Sequence, residues 1–280
     1  MVRVGIHIVI AFAFILTFQG CATLSRPTPT PALPIESIPS DTPPAIRKMM
    51  ETLYSDQALE RARAAGILGE LKARQAAPYL ASMLHDNSGN IVRKSPYFTS
   101  IKDLSWWERT KITETSNPID TTPGMEAAVA LLWMGEHELV TKALRDENEV
   151  IRIQASRALK EWDDPKAADP LIAVYDDKNE IVRENVVLGL SKHQGPKVVD
   201  CLITMLDDNS KKIVRKAALL LGDKNDTRAV EPLIRKLENQ KDAYITINTN
   251  KSLYALTGQR PLSYERWMEW LEREGSRGGK

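Results

Sequence analysis

An arginine recurs along this chain at an interval that reads as stacked helical hairpins. Four segments share one short pattern: Asn90-Ile91-Val92-Arg93, Glu149-Val150-Ile151-Arg152, Glu180-Ile181-Val182-Arg183 and Lys212-Ile213-Val214-Arg215. The last three arginines lie 31 and 32 residues apart, and Arg61 precedes Arg93 by 32. A period near that length marks a solenoid, whose units are each too small to bury an apolar face alone. Each arginine opens an Ala- and Leu-rich helix, as in residues 154–159 and 216–222, and a polar or Gly-containing turn follows. A second apolar helix comes next, often led by proline: Ala77-Pro78-Tyr79-Leu80, Asp169-Pro170-Leu171-Ile172 and Glu231-Pro232-Leu233-Ile234. Proline fits there because the first helical turn has no use for its missing amide proton. Small alanines let paired helices approach, while Ile, Val and Leu at helical spacing supply a core shared between neighbouring pairs.

The hydrophobic-Val-Arg start, Ala-rich first helix, Pro-led second helix and Asp-rich return turn resemble HEAT-type repeats of the short bacterial variety first named from phycobilisome lyases. The resemblance covers residues 45–258 and implies an all-α fold, an α-solenoid of HEAT-like helical hairpins. In such arrays the aspartates ahead of each arginine, here Asp86, Asp146, Asp176 or Asp177, and Asp207 or Asp208, resemble a ladder of carboxylates and guanidinium groups paired between repeats. Their expected role is to hold the stack together, since bidentate Arg–carboxylate pairing is geometrically demanding. The resemblance also places the second helices, around residues 75–84, 137–145, 167–175, 197–206 and 228–239, on a concave partner-binding face.

One repeat is interrupted. Arg93-Lys94 reads as a helix start that Ser95-Pro96 stops, and the alanine run resumes only at Glu126-Ala127-Ala128, leaving an insertion over about 95–123. It carries Tyr97, Phe98, Trp106 and Trp107, which either anchor a partner, since aromatics give large contact area at small conformational cost, or fold back over the solenoid core. Thr121-Thr122-Pro123-Gly124 closes it as a helix start. At the far end, Tyr264, Trp267, Met268 and Leu271 fall at i, i+3, i+4 and i+7 and make the apolar face of a capping helix over 259–274. Exported HEAT-repeat proteins often end in a similar Leu-Thr-Gly-Gln and aromatic-rich segment. Residues 275–280 are expected to be disordered.

The opposite end reads as an export signal. Arg3 precedes an uncharged run from Val4 to Phe18 that closes on Gln19-Gly20-Cys21, and the run is short for a membrane span. Small Gly20 followed by Cys21 resembles the lipobox of bacterial lipoproteins, which implies a diacylated Cys21 as the new N-terminus and residues 1–20 removed; an uncleaved signal anchor is the alternative. Ala22 in place of an aspartate leans, by the same resemblance, towards the outer membrane facing the periplasm. Residues 21–44 hold seven prolines, which delete amide donors, so this stretch is expected to be a spacer. At about 3.1 Å per extended residue it would reach roughly 70 Å.

Charge and chemistry narrow the function. The chain holds 38 Lys and Arg, one of them Arg3 in the leader, and 37 Asp and Glu, so the remainder is formally neutral and offers no electrostatic reason to bind nucleic acid. With Cys21 lipidated, Cys201 is the remaining thiol, in an apolar helix stretch where a cysteine acts as a small buried hydrophobe. The sequence holds no Gly-rich phosphate loop, Cys-x-x-Cys or His-Glu-x-x-His. The single His137-Glu138 dyad falls short of the several dyads of the diiron HEAT-repeat hydroxylases and reads as a solvated turn. His85 and His193 stand alone at helix ends, where a histidine commonly caps carbonyls. These features point to a non-enzymatic envelope scaffold or assembly factor with a protein partner, tethered to a membrane by lipid, with no cofactor, metal or small-molecule substrate. An enzyme site on the concave face and glycan or peptidoglycan binding through the inserted aromatics are the alternatives.

Overall fold

The computed structural model describes residues 31–88, 91–94 and 118–277. Their helices form two stacked layers. The first-helix layer runs α2 (Ala58–Glu70), α4 (Pro123–Met134), α6 (Glu149–Glu161), α8 (Glu180–Gly189), α10 (Lys211–Asp223) and α12 (Ala243–Thr257), with each helix packed on the next. The second layer holds α3 (Ala77–Ser82), α5 (His137–Ala143), α7 (Ala168–Ile172), α9 (Pro196–Thr204), α11 (Val230–Lys236) and α13 (Tyr264–Arg277), preceded by α1 (Pro44–Thr52) against α2. This is the expected α-solenoid of HEAT-like hairpins. Among the described residues, no helix is long and apolar enough to cross a membrane.

Local sequence explains the boundaries. Thr122, Asn148, Asn179 and Asp242 cap α4, α6, α8 and α12 by accepting amide protons of the first turn. Gly135 and Gly258 end α4 and α12 at φ 84° and 70°, a left-handed conformation that an L side chain rarely adopts. Leu68, Leu131, Leu159, Val186 and Leu221 of the first helices are fully buried with Leu80, Leu171, Leu202 and Leu233 of the second in one continuous core. First helices approach closely where side chains are small. A Cβ on Gly222 would lie 2.8 Å from Cα of Ser252, so α10 and α12 could not keep this spacing with alanine there.

Three boundaries differ from the sequence expectation. Residues 32–43, assigned to the spacer, lie against the first repeat: Ile38 is buried in the core, the Tyr54 hydroxyl donates to the Leu33 carbonyl at 2.5 Å, and Arg47 donates to the Ile38 carbonyl at 3.2 Å. Proline prevents a regular helix here but not docking, and a short 3-10 turn, Ile35–Ser37, is all the regular structure the segment needs. The spacer expectation therefore fails for residues 32–43. At the other end, α13 continues through Arg277, so the expected disorder from Gly275 gives way to helix for three residues.

The third difference lies in the interrupted repeat. Ile91–Lys94 is a β-strand (β1) rather than a helix start, paired antiparallel with β2 (Pro118–Thr121), Ile91 opposite Thr121 and Lys94 opposite Pro118. Chain leaving at Asp86 returns beside it, because the Gly124 amide donates to the Asp86 carbonyl at 2.9 Å. A Cβ on Gly124 would sit 2.6 Å from the Leu84 carbonyl oxygen, so this closure needs glycine. α4 then takes the next place in the first-helix layer, packed on α2. Tyr97, Phe98, Trp106 and Trp107 lie outside the described residues, as does Cys21.

Trp267 is the most buried side chain of the C-terminal cap, with Tyr264, Met268, Trp270 and Leu271 packed against the core beside it. Trp267 is fully buried, donates its indole N–H to Asn250 Oδ1 at 3.1 Å, and meets Trp270 edge to face with centroids 5.5 Å apart. Trp267→Ala is expected to cost about 3–5 kcal/mol, as for other buried aromatic truncations, read as a lowered denaturation midpoint. Retention of the wild-type midpoint would show that α13 does not stabilise the last hairpin.

Candidate functional site: the inter-repeat ladder and the two helical faces

The fourth residue of a first helix is where the repeats are joined. From α6, Arg152 Nε and Nη2 donate to the two carboxylate oxygens of Asp177 at 2.8 and 3.2 Å, while Nη1 donates back to the Asp146 carbonyl at 2.8 Å. Arg183 on α8 repeats this one unit on, with Asp208 at 2.7 and 3.0 Å and the Asp177 carbonyl at 2.9 Å. Asp177 therefore receives one guanidinium on its side chain and the next on its main chain. Each ladder carboxylate also accepts the amide two residues on, Asn179 for Asp177 and Ser210 for Asp208. Arg61 makes the same fork to Asp86, at 2.7 and 3.4 Å, and to the Ser55 carbonyl.

Asp177 and Asp208 are thus the ladder members among the expected alternatives, whereas Asp146 contributes its carbonyl to Arg152 and its carboxylate to the Asn148 amide. Arg93 lies in β1 rather than in the first turn of a helix. The fourth position of α4 is Glu126, a buried acid that accepts the Thr121 hydroxyl at 2.6 Å. At the C-terminal end the register slips. Lys211 and Lys212 lengthen the turn by one residue, so Arg215 is the fifth residue of α10 and reaches Asp242, the N-cap of α12, at 3.1 and 2.6 Å. Side-chain exposure rises along the ladder, from 1% at Arg61 through 5% at Arg152 and 14% at Arg183 to 36% at Arg215.

Electrostatics follow the geometry. Burial would raise the Asp208 carboxyl, but the Arg183 hydrogen bonds, the Ser210 amide and the guanidinium charge together hold it below the usual carboxylate range. Hydrogen bonding from Arg215, then from the Ile245 amide, holds Asp242 at about 2. A second set of bonds joins the other ends of the first helices, where the buried Lys224 ammonium donates to the carbonyls of Leu190, Ser191 and His193 at 2.9, 3.0 and 2.6 Å. The cap expected of His193 is made by Lys224 instead; His193 is buried with Nε2 unpartnered, and burial followed by the Lys224 charge lowers its pKa.

Other chemistry-bearing residues are equally engaged in structure. Burial pushes the Cys201 thiol up to about 12. His137 is half-buried rather than solvated, stacked on Trp162 with centroids 4.5 Å apart, and its Nδ1 is enclosed without a partner. Among the described residues, no three His, Cys, Asp or Glu side chains converge as metal ligands.

The two faces differ in kind. Exposed ion pairs cross between second helices: Lys197 to Asp169 at 3.0 Å, Arg228 to Asp200 at 2.7 Å and Lys236 to Asp207 at 3.1 Å. Between α9 and α11 they border an open cleft of about 560 Å³ that Ile203, Leu206, Glu231 and Arg235 help to line. Large exposed apolar side chains stand elsewhere. Leu59, Ile181, Tyr244, Ile247 and Tyr254 all belong to first helices. Sequence reasoning missed this division, although the i, i+3 and i+10 spacing of Tyr244, Ile247 and Tyr254 was readable.

Residues 136–222 match the sequence profile of HEAT repeats. Comparison with curated proteins finds no match. Among solved structures the chain is similar to a computationally designed armadillo repeat protein for modular peptide recognition, at 16% identity over 75% of this chain and 99% of that chain, TM-score 0.44. A designed armadillo repeat protein in complex with the peptide (KR)4 gives 15%, 75%, 98% and 0.44 on the same measures. Human deoxyhypusine hydroxylase in complex with glycerol gives 16%, 76%, 74% and 0.31. The profile match spans α5 to α10, which include the Arg152 and Arg183 rungs, so this part of the α-solenoid is similar to HEAT repeats.

Arg183→Ala should leave Asp208 partly buried without its guanidinium and cost on the order of 2–4 kcal/mol. Arg215→Ala, at the exposed rung, should cost less, and denaturant midpoints of the two variants decide the order. The Arg215–Asp242 rung also carries a pH signature. The folded pKa lies below the unfolded value, so its stabilisation is complete above about pH 4 and is lost as pH falls towards 2. Asp242→Asn should therefore flatten the fall in melting temperature between pH 4 and 2; a fall as steep as wild type would remove this rung as its cause.

Proposed function

We propose that this chain is a lipid-anchored scaffold of the cell envelope, which holds a protein partner on the solenoid surface and performs no chemistry of its own. The observation that carries the reading is where the reactive groups go. Among the described residues, three of the four ladder arginines are largely buried, and Cys201, Lys224 and His193 are buried too, while large apolar side chains stand exposed on the first-helix layer. Such a surface suits association with another macromolecule. Formal neutrality beyond the leader favours a protein over nucleic acid.

The tether follows from Gly20-Cys21 and the proline-rich residues after it. Residues 22–30 give a spacer of about 30 Å at most if fully extended, since residues 32–43 already lie on the first repeat. In a Gram-negative cell, Ala22 favours the outer membrane, with the solenoid in the periplasm.

Cys21→Ser should abolish acyl labelling and move the chain from the membrane to the soluble fraction. Membrane retention without labelling would replace lipidation by an uncleaved signal anchor. Affinity purification of the native chain in detergent should recover one protein in reproducible stoichiometric amount; recovery of the chain alone would sink the scaffold reading.

A further inference from the structure

The last first helix, α12, carries an exposed stripe. Tyr244 is 64% exposed, Ile247 59% and Tyr254 55%, with exposed Lys251 between the last two, at i, i+3, i+7 and i+10. At 1.5 Å per residue the stripe is about 15 Å long. The opposite side of α12 is occupied: Ile245, Thr249, Ser252 and Leu253 are buried, the Ser252 hydroxyl donates to the Ala218 carbonyl of α10, and Asn250 receives Trp267 of the capping helix. The cap therefore covers the inner flank of α12 and leaves this stripe bare.

The N-terminal end of the stripe meets a basic first turn of α10. Arg215 lies over the Tyr244 ring at 4.7 Å. Two carboxylates of this surface are each shared by two cations: Asp242 by Arg215 at 2.6 Å and Lys211 at 3.8 Å, Glu184 by Lys212 at 2.6 Å and Lys216 at 3.7 Å. Lys211 and Lys212 are 74% and 59% exposed, and Lys251 adds a further cation. Apolar anchors in line with surplus positive charge complement a segment whose own apolar residues are interleaved with acids.

We propose that α12, with the first turns of α10, is a docking surface for an acidic amphipathic segment of a protein partner. The proposal rests on the scaffold reading and names the face and partner chemistry. Aromatic anchors at Tyr244 and Tyr254 would supply contact area at small conformational cost, and the lysines would set register and association rate. A second copy using the same face would oppose lysine to lysine. A flat anionic lipid surface would meet Asp242 and Glu184 as well as the cations, whereas a peptide can place its charges between them.

The test uses the full chain and two fluorescent 18-residue amphipathic peptides, with Leu and Trp on one face and either Glu or Lys on the other. The Glu peptide should bind at least tenfold more tightly than the Lys peptide and weaken as salt rises. Tyr244→Ser with Ile247→Ser should weaken it at least tenfold, and Lys251→Glu several-fold, with melting temperatures unchanged. Equal binding of both peptides, or variants without effect, overturns the proposal. So does binding to phosphatidylglycerol vesicles, or self-association in sedimentation, that is lost in these variants while the Glu peptide fails to bind. A photo-crosslinker placed at Ile247 or at Arg235 separates this proposal from the scaffold reading. Crosslinks to a protein from position 235 and not 247 overturn the docking face alone, and none from either position overturns both.

Discussion

A guanidinium fixed in the first turn of a helix offers a planar fork of donors that a single HEAT-like hairpin cannot satisfy. Its Nε and Nη2 edge needs a carboxylate, supplied by the next turn along the stack, and its Nη1 needs a carbonyl, supplied by the turn behind. The carboxylate contact ties the first turn of one first helix to the turn that leads into the next. Desolvating such a pair is costly unless every donor is used, and here the chain's own amides complete the carboxylate shell. Close contact of small side chains between first helices and the shared leucine core hold the same hairpins together.

What the sequence made legible follows from period. Helices with apolar residues at 3.6 spacing, a cap before them and proline in the second helix are specified locally, and the structure places them there. Arg93 illustrates the opposite case. Its tetrapeptide matches the others, yet Ser95-Pro96 leaves too few residues for a helix, and the segment pairs as a strand instead. The fourth position of α4 is held by a residue of opposite charge, Glu126, which becomes visible only when helices are aligned on their caps rather than on their arginines. The same alignment exposes the extra turn residue before Arg215. Proline content suggested a free spacer through residue 44, but it reports only on regular structure; the burial of Ile38 in the core depends on tertiary contacts that no local pattern encodes.

The two surfaces of the stack reflect different solutions to solvent. Second helices exchange salt bridges with their neighbours along the repeat direction, so their outward charges are mutually occupied. First helices have polar bridges on their buried flanks, such as Asn185 to Ser156 and Ser252 to the Ala218 carbonyl, and keep apolar side chains outside. The outer first-helix face thus carries exposed apolar side chains beside ion pairs such as Lys212–Glu184.

The hairpin at the interrupted repeat separates the solenoid from its own insertion. Four paired residues per strand and the Gly124–Asp86 hydrogen bond bring the two ends of the excursion together before the stack resumes. Loop-closure entropy grows only slowly with length, so a clamp of this kind makes the rest of the protein nearly indifferent to how much chain lies beyond Lys94 and Pro118. The site behaves as a graft point, where sequence can be lengthened, shortened or exchanged in evolution or by design while the frame that presents it keeps its register.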